Sequence, residues 1–183
     1  MSLFYPNMML RRVQELSPEE LRQAGIRGIL LDVDNTLSPH GAPEPEPEAL
    51  EWIKKMKREG FVLCVVSNNT EERVAPFAKK LGLAFSAMAG KPLPFGFCRA
   101  AAKLGLSRRQ VLAVGDQLFT DICGANLAGI RSALVEPLEP EHALRFRLKR
   151  RLERPVLRRF LQKHPERIAV GCFAASESEV KKQ

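Results

Sequence analysis

Strand-length segments alternate with helix-patterned ones from residue 26 onward, and that alternation limits the fold of this chain more than any other feature. Ile26–Asp32, Phe61–Val66, Val111–Val114 and Arg131–Val135 read as strands, with a shorter one near Phe85. Phe61–Val66 is apolar throughout, as a strand buried on both faces must be. After a proline-rich acidic loop, Pro39–Pro47, residues Leu50, Ile53 and Met56 recur at helical spacing. Lys54, Lys55, Lys57 and Arg58 supply the polar side of that helix, and Gly60 can stop it. Further helices read from about Glu72 to Leu81, about Phe95 to Leu104 and near Asp121 to Ala128. Ser17-Pro18-Glu19-Glu20 opens another, with a capping hydroxyl and proline at the first position; it runs to about Ala24, where Gly25 ends it. Strands separated by single helices join in parallel through right-handed crossovers. The expectation is an α/β fold, Rossmann-like, with three layers around a mostly parallel central sheet.

A chain of 183 residues, 45% of them apolar, can build one domain with a substantial core. No stretch approaches the roughly 18 consecutive apolar residues that span a bilayer, and the N-terminus lacks the basic-then-apolar order of a secretory signal. A cytoplasmic location is the corresponding expectation. Cys64, Cys98, Cys123 and Cys172 are far apart and form no C-x-x-C pair, so they read as reduced thiols rather than a zinc site or disulfide framework. Of the net charge of +8, residues 138–183 supply +6, from 12 Lys/Arg against 6 acids. The reading is therefore a core over 1–137 and a basic, helical extension over 138–183 belonging to the same domain. An anionic partner, membrane surface or nucleic acid, follows from that asymmetry.

Asp32-Val33-Asp34-Asn35-Thr36-Leu37 directly follows the run Gly28–Leu31, which puts two carboxylates at the end of a buried strand. Ionised carboxylates are costly to desolvate unless a cation or hydrogen bonds compensate, so this position suits a metal-assisted nucleophile better than packing. Ser67 and Asp116 fall at the ends of two other strands. Ligands of open parallel sheets sit beyond those carboxyl ends, and the three polar groups converge there.

Four segments carry a resemblance: Asp32–Leu37, Ser67-Asn68-Asn69, Gly90-Lys91-Pro92 and Gly115-Asp116-Gln117-Leu118-Phe119-Thr120-Asp121. In kind and order they resemble the four motifs of haloacid-dehalogenase-type phosphatases. The resemblance implies that Asp32 is the nucleophile, forming an aspartyl-phosphate, and that Asp34 is the general acid and base. It implies Mg²⁺ as cofactor, since an oxygen-only set from Asp32, the Asp34 backbone carbonyl and Asp116 suits a hard octahedral ion. Asp121 would reach the metal directly or through water, or would cap the helix that follows. Ser67, with Asn68 and the backbone N–H groups beyond, would bind phosphate at a helix start. Lys91 would set a point charge against the transferring phosphoryl group, where a plainer reading leaves it solvated. His40, His142 and His164 match no motif and read as structural or exposed.

Residues 38–60 and 70–90 leave no room for a cap domain, so an open site is expected, serving a substrate that brings its own surface. Arg145–Lys163 holds nine basic residues and one acid, interleaved with Phe146, Leu148, Leu152, Val156, Leu157, Phe160 and Leu161. Leu144, Leu148 and Leu152 follow i, i+4 spacing, and Pro155 is expected to separate two short helices. The segment reads as membrane-facing, or alternatively as an apolar face packed on the domain beneath solvated charges. Within the superfamily the motifs are most similar to the YqeG family, related to phosphatidylglycerophosphate phosphatases. That resemblance implies removal of the terminal phosphate of phosphatidylglycerophosphate, and the basic C-terminal segment adds the expectation of peripheral attachment to the inner face of the membrane. A soluble nucleotide or nucleic-acid-end phosphatase, or a non-enzymatic RNA- or ribosome-binding module, are the competing readings.

Overall fold

The computed structural model describes residues 3–140 and 144–167. Cys172, His142 and the Leu144 side chain lie outside the described residues and side chains. Six strands form one sheet: β1 (Met8–Leu10), β2 (Gly28–Leu31), β3 (Val62–Val66), β4 (Ala84–Ser86), β5 (Val111–Gly115) and β6 (Arg131–Val135). Their order is β1-β6-β5-β2-β3-β4, and every pairing is parallel. The crossovers are α2 (Pro47–Arg58), α3 (Glu71–Leu81), α4 (Phe95–Lys103) and α5 (Cys123–Leu127), with α1 (Pro18–Gln23) ahead of β2 and α6 (Leu144–Lys163) after β6.

The alternation along each central strand splits the core into two layers. Ile29, Leu31, Leu63, Val65, Leu112 and Val114 face Trp52, Ile53 and Met56 of α2 and Phe77 of α3. Leu30, Cys64, Val66 and Ala113 face Phe97, Ala100 and Ala101 of α4 and Ala125 of α5. Such a sheet is covered on both faces, as parallel sheets require. Between β2 and β3 stands one helix, and between β3 and β4 another, so no cap domain covers the strand ends.

The structure adds one strand that the sequence reading lacked and corrects two expectations. An edge strand, β1, pairs with β6 through Met8–Ala133, Met9–Leu134 and Leu10–Val135, and its three residues are too few to show a period. The helix expected from Asp121 begins instead with a wide, π-type turn over Leu118–Ile122, followed by Cys123–Leu127. Pro155 does not divide α6, which runs unbroken for 20 residues. Pro155 and Arg151 both face solvent, where water can take up the carbonyl that proline leaves without its bond. Packing of Phe160 against Met9, Leu118, Ile122 and Leu134 holds the second half in line.

Candidate active site

Parallel register brings the site together. Leu31 pairs with Val65 on one side and Val114 on the other, so the residues that leave β2, β3 and β5 emerge at one level. Asp32 extends the ladder by one more bond, its N–H donating to Val114 O at 2.9 Å. The strand order reverses direction between β2 and β5, which is where doubly wound sheets open a crevice.

Carboxylate oxygens of Asp32, Asp116 and Asp121 gather there within 4.8 Å of one another. The Lys91 ammonium is inserted among them, at 2.5 Å from Asp32 Oδ1, 2.7 Å from Asp121 Oδ1 and 3.1 Å from Val66 O. All four side chains are nearly or fully buried. Lys91 is thus not the solvated lysine of the plainer reading. Asn68 fixes its main chain from both sides, accepting from Lys91 N at 2.7 Å and donating to Lys91 O at 3.0 Å. The Asn68 amide is therefore committed to placing Lys91.

Asp121 reaches the cluster because β5 ends in glycine. A Cβ at Gly115 would stand 2.5 Å from Asp121 Cγ, so any side chain there would push the carboxylate out. Asp121 Oδ2 also accepts from Gln117 N at 3.1 Å, which holds the wide turn. It does not cap α5, whose N-cap position is Ile122; Asp121 lies inside the wide turn that begins at Leu118.

Asp34 stands apart from that cluster. Its Oδ2 accepts from Asn69 Nδ2 at 2.7 Å and its Oδ1 from Gly41 N at 2.8 Å, with Arg73 at 3.8 Å and His40 at 3.9 Å. Asn35, at φ 61°, turns the chain sharply after it. The Ser67 hydroxyl accepts from Asn69 N at 3.2 Å, and α3 starts only at Glu71, so the phosphate-binding helix start expected directly after Ser67 lies four residues on.

α6 supplies what the motifs did not indicate. The Arg150 guanidinium pairs with Asp116 Oδ2 and donates to Asp116 O at 2.5 Å, and it bonds Glu153 Oε2 at 3.1 Å. Glu153, 4% exposed, accepts from Phe119 N at 3.1 Å. Lys149 Nζ donates to Gln117 Oε1 and, at 3.2 Å, to Thr120 Oγ1. The signal for this docking was a single acid, Glu153, inside a run of nine basic residues: a lone counter-charge kept in such a helix marks the face turned inward.

Crowding of buried acids shapes the electrostatics. Burial pushes the Asp32 carboxyl up to about 7, with Lys91 opposing the rise and Asp121 adding to it. Burial likewise raises Asp116 well above the carboxylate range, against the pull of Arg150 and with the push of Asp121 and Asp32. Lys91 moves upward, because Asp121 and Asp32 outweigh the burial that opposes its charge. Lys91 pairs with Asp32 and Asp121 and Arg150 with Asp116 Oδ2, and one carboxylate oxygen is left over. Asp116 Oδ1 is buried with no hydrogen-bond partner, and the donor set is all oxygen. Both facts fit a hard divalent cation.

This fold and this constellation define a class, and comparison with known proteins agrees. The family model of haloacid dehalogenase-like hydrolases matches residues 40–129. The protein named Probable phosphatase YqeG of Bacillus subtilis (strain 168) is 35% identical over 84% of this chain and 90% of its own length. The chain belongs to the haloacid dehalogenase-like hydrolases, in the YqeG family of phosphatases. Phosphatidylglycerophosphate phosphatase 1 of Arabidopsis thaliana, chloroplastic/mitochondrial, is 27% identical over 86% of this chain, which spans 48% of that protein's length. Among solved structures, an uncharacterized protein from Listeria monocytogenes serotype 4b shares the fold, at a TM-score of 0.50 and 20% identity over 66% of this chain and 88% of that one.

Proposed function

We propose that the chain is a magnesium-dependent phosphomonoester hydrolase that works through an aspartyl-phosphate and acts on phosphatidylglycerophosphate. One observation carries the chemistry: Asp32, Asp116 and Asp121 within 4.8 Å of one another, with a buried ammonium on two of them. Asp32, Asp116 and Asp121, with the Asp34 backbone carbonyl, are the groups to hold the ion. Bound there, magnesium would screen the repulsion between carboxylate and phosphate and withdraw charge from the phosphoryl oxygens.

Asp32 attacks phosphorus, and the bond to the leaving oxygen breaks as Asp34 gives that oxygen a proton. Asp34, now ionised, takes a proton from water, whose oxygen attacks the aspartyl-phosphate and restores Asp32. Lys91 stabilises the charge that gathers on the phosphoryl group, and the Ser67 hydroxyl donates to it. Hydrogen bonds from Asn69 and Gly41 hold Asp34 in place between the two steps.

The lipid substrate is supported by the likeness to phosphatidylglycerophosphate phosphatase 1, by the open strand ends and by α6. Leu148 and Leu152 are 57% and 58% exposed, flanked by exposed Arg147, Arg151 and Arg154. Apolar side chains in a basic surround suit an anionic bilayer, and this supports attachment to the inner face of a membrane. No helix among the described residues is long and apolar enough to cross one.

The test is hydrolysis of phosphatidylglycerophosphate in mixed micelles, beside soluble sugar phosphates and nucleotides, with and without magnesium. Magnesium-dependent turnover of the lipid above the soluble panel is expected, and Asp32→Asn abolishes it. High efficiency on sugar phosphates with none on the lipid would overturn the substrate. The same basic face favours a second reading, a phosphatase of nucleotides or nucleic-acid ends. Oligonucleotide binding that exceeds vesicle binding at matched salt would select it.

A further inference from the structure

Three cations stand around Asp116 and Asp121, and their partners differ in kind. Lys91 contacts two carboxylates, and Arg150 contacts Asp116 and Glu153. Lys149 donates to an amide oxygen, Gln117 Oε1, and to a hydroxyl, Thr120 Oγ1. It is half-buried, so it has given up hydration for acceptors that carry no charge. Burial lowers its pKa, while Asp121 and Glu153 pull it back and Arg150 adds to the fall. Its direct partners are an amide and a hydroxyl rather than a carboxylate, so the ammonium can still make a direct ion pair with an incoming anion.

Its position says which anion. Gln117 and Thr120 belong to the turn that joins two members of the acidic cluster, so Lys149 sits beside the reacting centre. It also follows Leu148 directly on α6, and burial deepens around that helix from exposed Leu148 to half-buried Lys149 to buried Glu153. A group bound at Lys149 therefore lies between the exposed apolar face and the carboxylates.

We propose that Lys149, positioned by Gln117 and Thr120, forms a second anion subsite that takes a phosphodiester borne on the alcohol part of the substrate, while the scissile phosphomonoester meets Asp32. The subsite rests on the phosphatase reading above and deepens it: the preferred substrates carry two phosphates separated by a short polyol, the terminal one a monoester and the linking one a diester. It gives an open site, without a cap, a means to prefer such a substrate over a simple phosphomonoester.

Soluble compounds test this apart from membrane attachment. The kcat/KM of the full-length protein with magnesium is measured on glycerol 3-phosphate and on glycerophosphoglycerophosphate, which adds the diester without acyl chains. Wild type should favour the second by about tenfold or more. Lys149→Gln should bring the ratio close to one, and Lys149→Arg should restore most of it. Binding of glycerophosphoglycerol, which has the diester and no phosphomonoester, is followed by calorimetry; wild type and Lys149→Arg should bind it at least tenfold more tightly than Lys149→Gln. A wild-type ratio near one, or a ratio that Lys149→Gln leaves intact, overturns the subsite. If wild type hydrolyses neither compound the phosphatase reading fails, and the calorimetry still decides the subsite: equal affinity in wild type and Lys149→Gln overturns it.

Discussion

Asp34 and Asp32 are two residues apart, yet their surroundings divide their tasks. Asp32 is buried beside an ammonium, whereas Asp34 is partly exposed and held by two N–H donors. Asp34→Asn should reduce turnover about 10²- to 10⁴-fold, the usual worth of a general acid or base. Because the Asp34 carboxylate stands outside the acidic cluster, magnesium affinity in calorimetry should change little; wild-type turnover would refute the role. Asp32 makes a second prediction through its raised pKa. A carboxyl moved from 3.8 to about 7 by folding favours the folded state below its unfolded pKa, and that contribution is lost as pH rises to about 7. Magnesium needs the ionised form, so the ion should raise the melting temperature little near pH 5 and most above pH 7. At 100 times its Kd a ligand adds about 2.7 kcal/mol, enough to read in a thermal scan. A magnesium-induced shift that is flat over this range would sink the assignment. Asp32, Lys91 and Asp116 were legible in the sequence because strand ends and motif order locate them. The Asn69, Gly41 and Arg73 contacts of Asp34 were not, since they depend on how the loop after Asn35 folds back.

Among the elements, α6 departs most from its reading in sequence. Its composition resembles a solvated charge run, and its proline resembles a break. Long-range contacts decide otherwise: Phe160 fills a gap beside Met9 and Leu134, and Glu153 satisfies both Phe119 N and Arg150. Met9, Leu134 and Phe119 are all far from α6 in sequence, so periodicity could not reveal these contacts. The sheet is the opposite case, because each central strand is a continuous apolar run of five or so residues and needs no distant information to be recognised. Glu153 offers the test at this scale. Glu153→Ala leaves a buried N–H and a guanidinium without their acceptor and should cost about 1–3 kcal/mol in urea unfolding. Glu153→Gln keeps an acceptor for Phe119 and should cost less. If both variants unfold as wild type does, α6 is not anchored through this residue.

At the scale of the molecule, one end of the sheet gathers the acids and the helix that closes over them turns basic and apolar groups outward. Asp32, Asp116, Asp121 and Glu153 offset the charges of Lys91, Lys149 and Arg150, so the site itself exerts little net pull on a phosphate monoester. Attraction at longer range therefore falls to the surface, where α6 exposes Arg147, Arg151, Arg154, Arg158 and Arg159. If that surface holds the enzyme on a bilayer, each basic residue near an anionic headgroup layer adds about 1 kcal/mol, and salt screens it. The exposed Leu148 and Leu152 add a part that salt does not screen. Vesicles of phosphatidylglycerol in phosphatidylcholine should co-sediment the protein at low salt and release most of it as ionic strength rises. Leu148→Glu/Leu152→Glu removes the apolar part and adds repulsion, so binding should fall at least tenfold at every salt concentration. Turnover of soluble glycerophosphoglycerophosphate is the control that separates attachment from chemistry, because it needs no bilayer. Unchanged vesicle binding by the double variant would mean that the outward face of α6 is not the membrane contact.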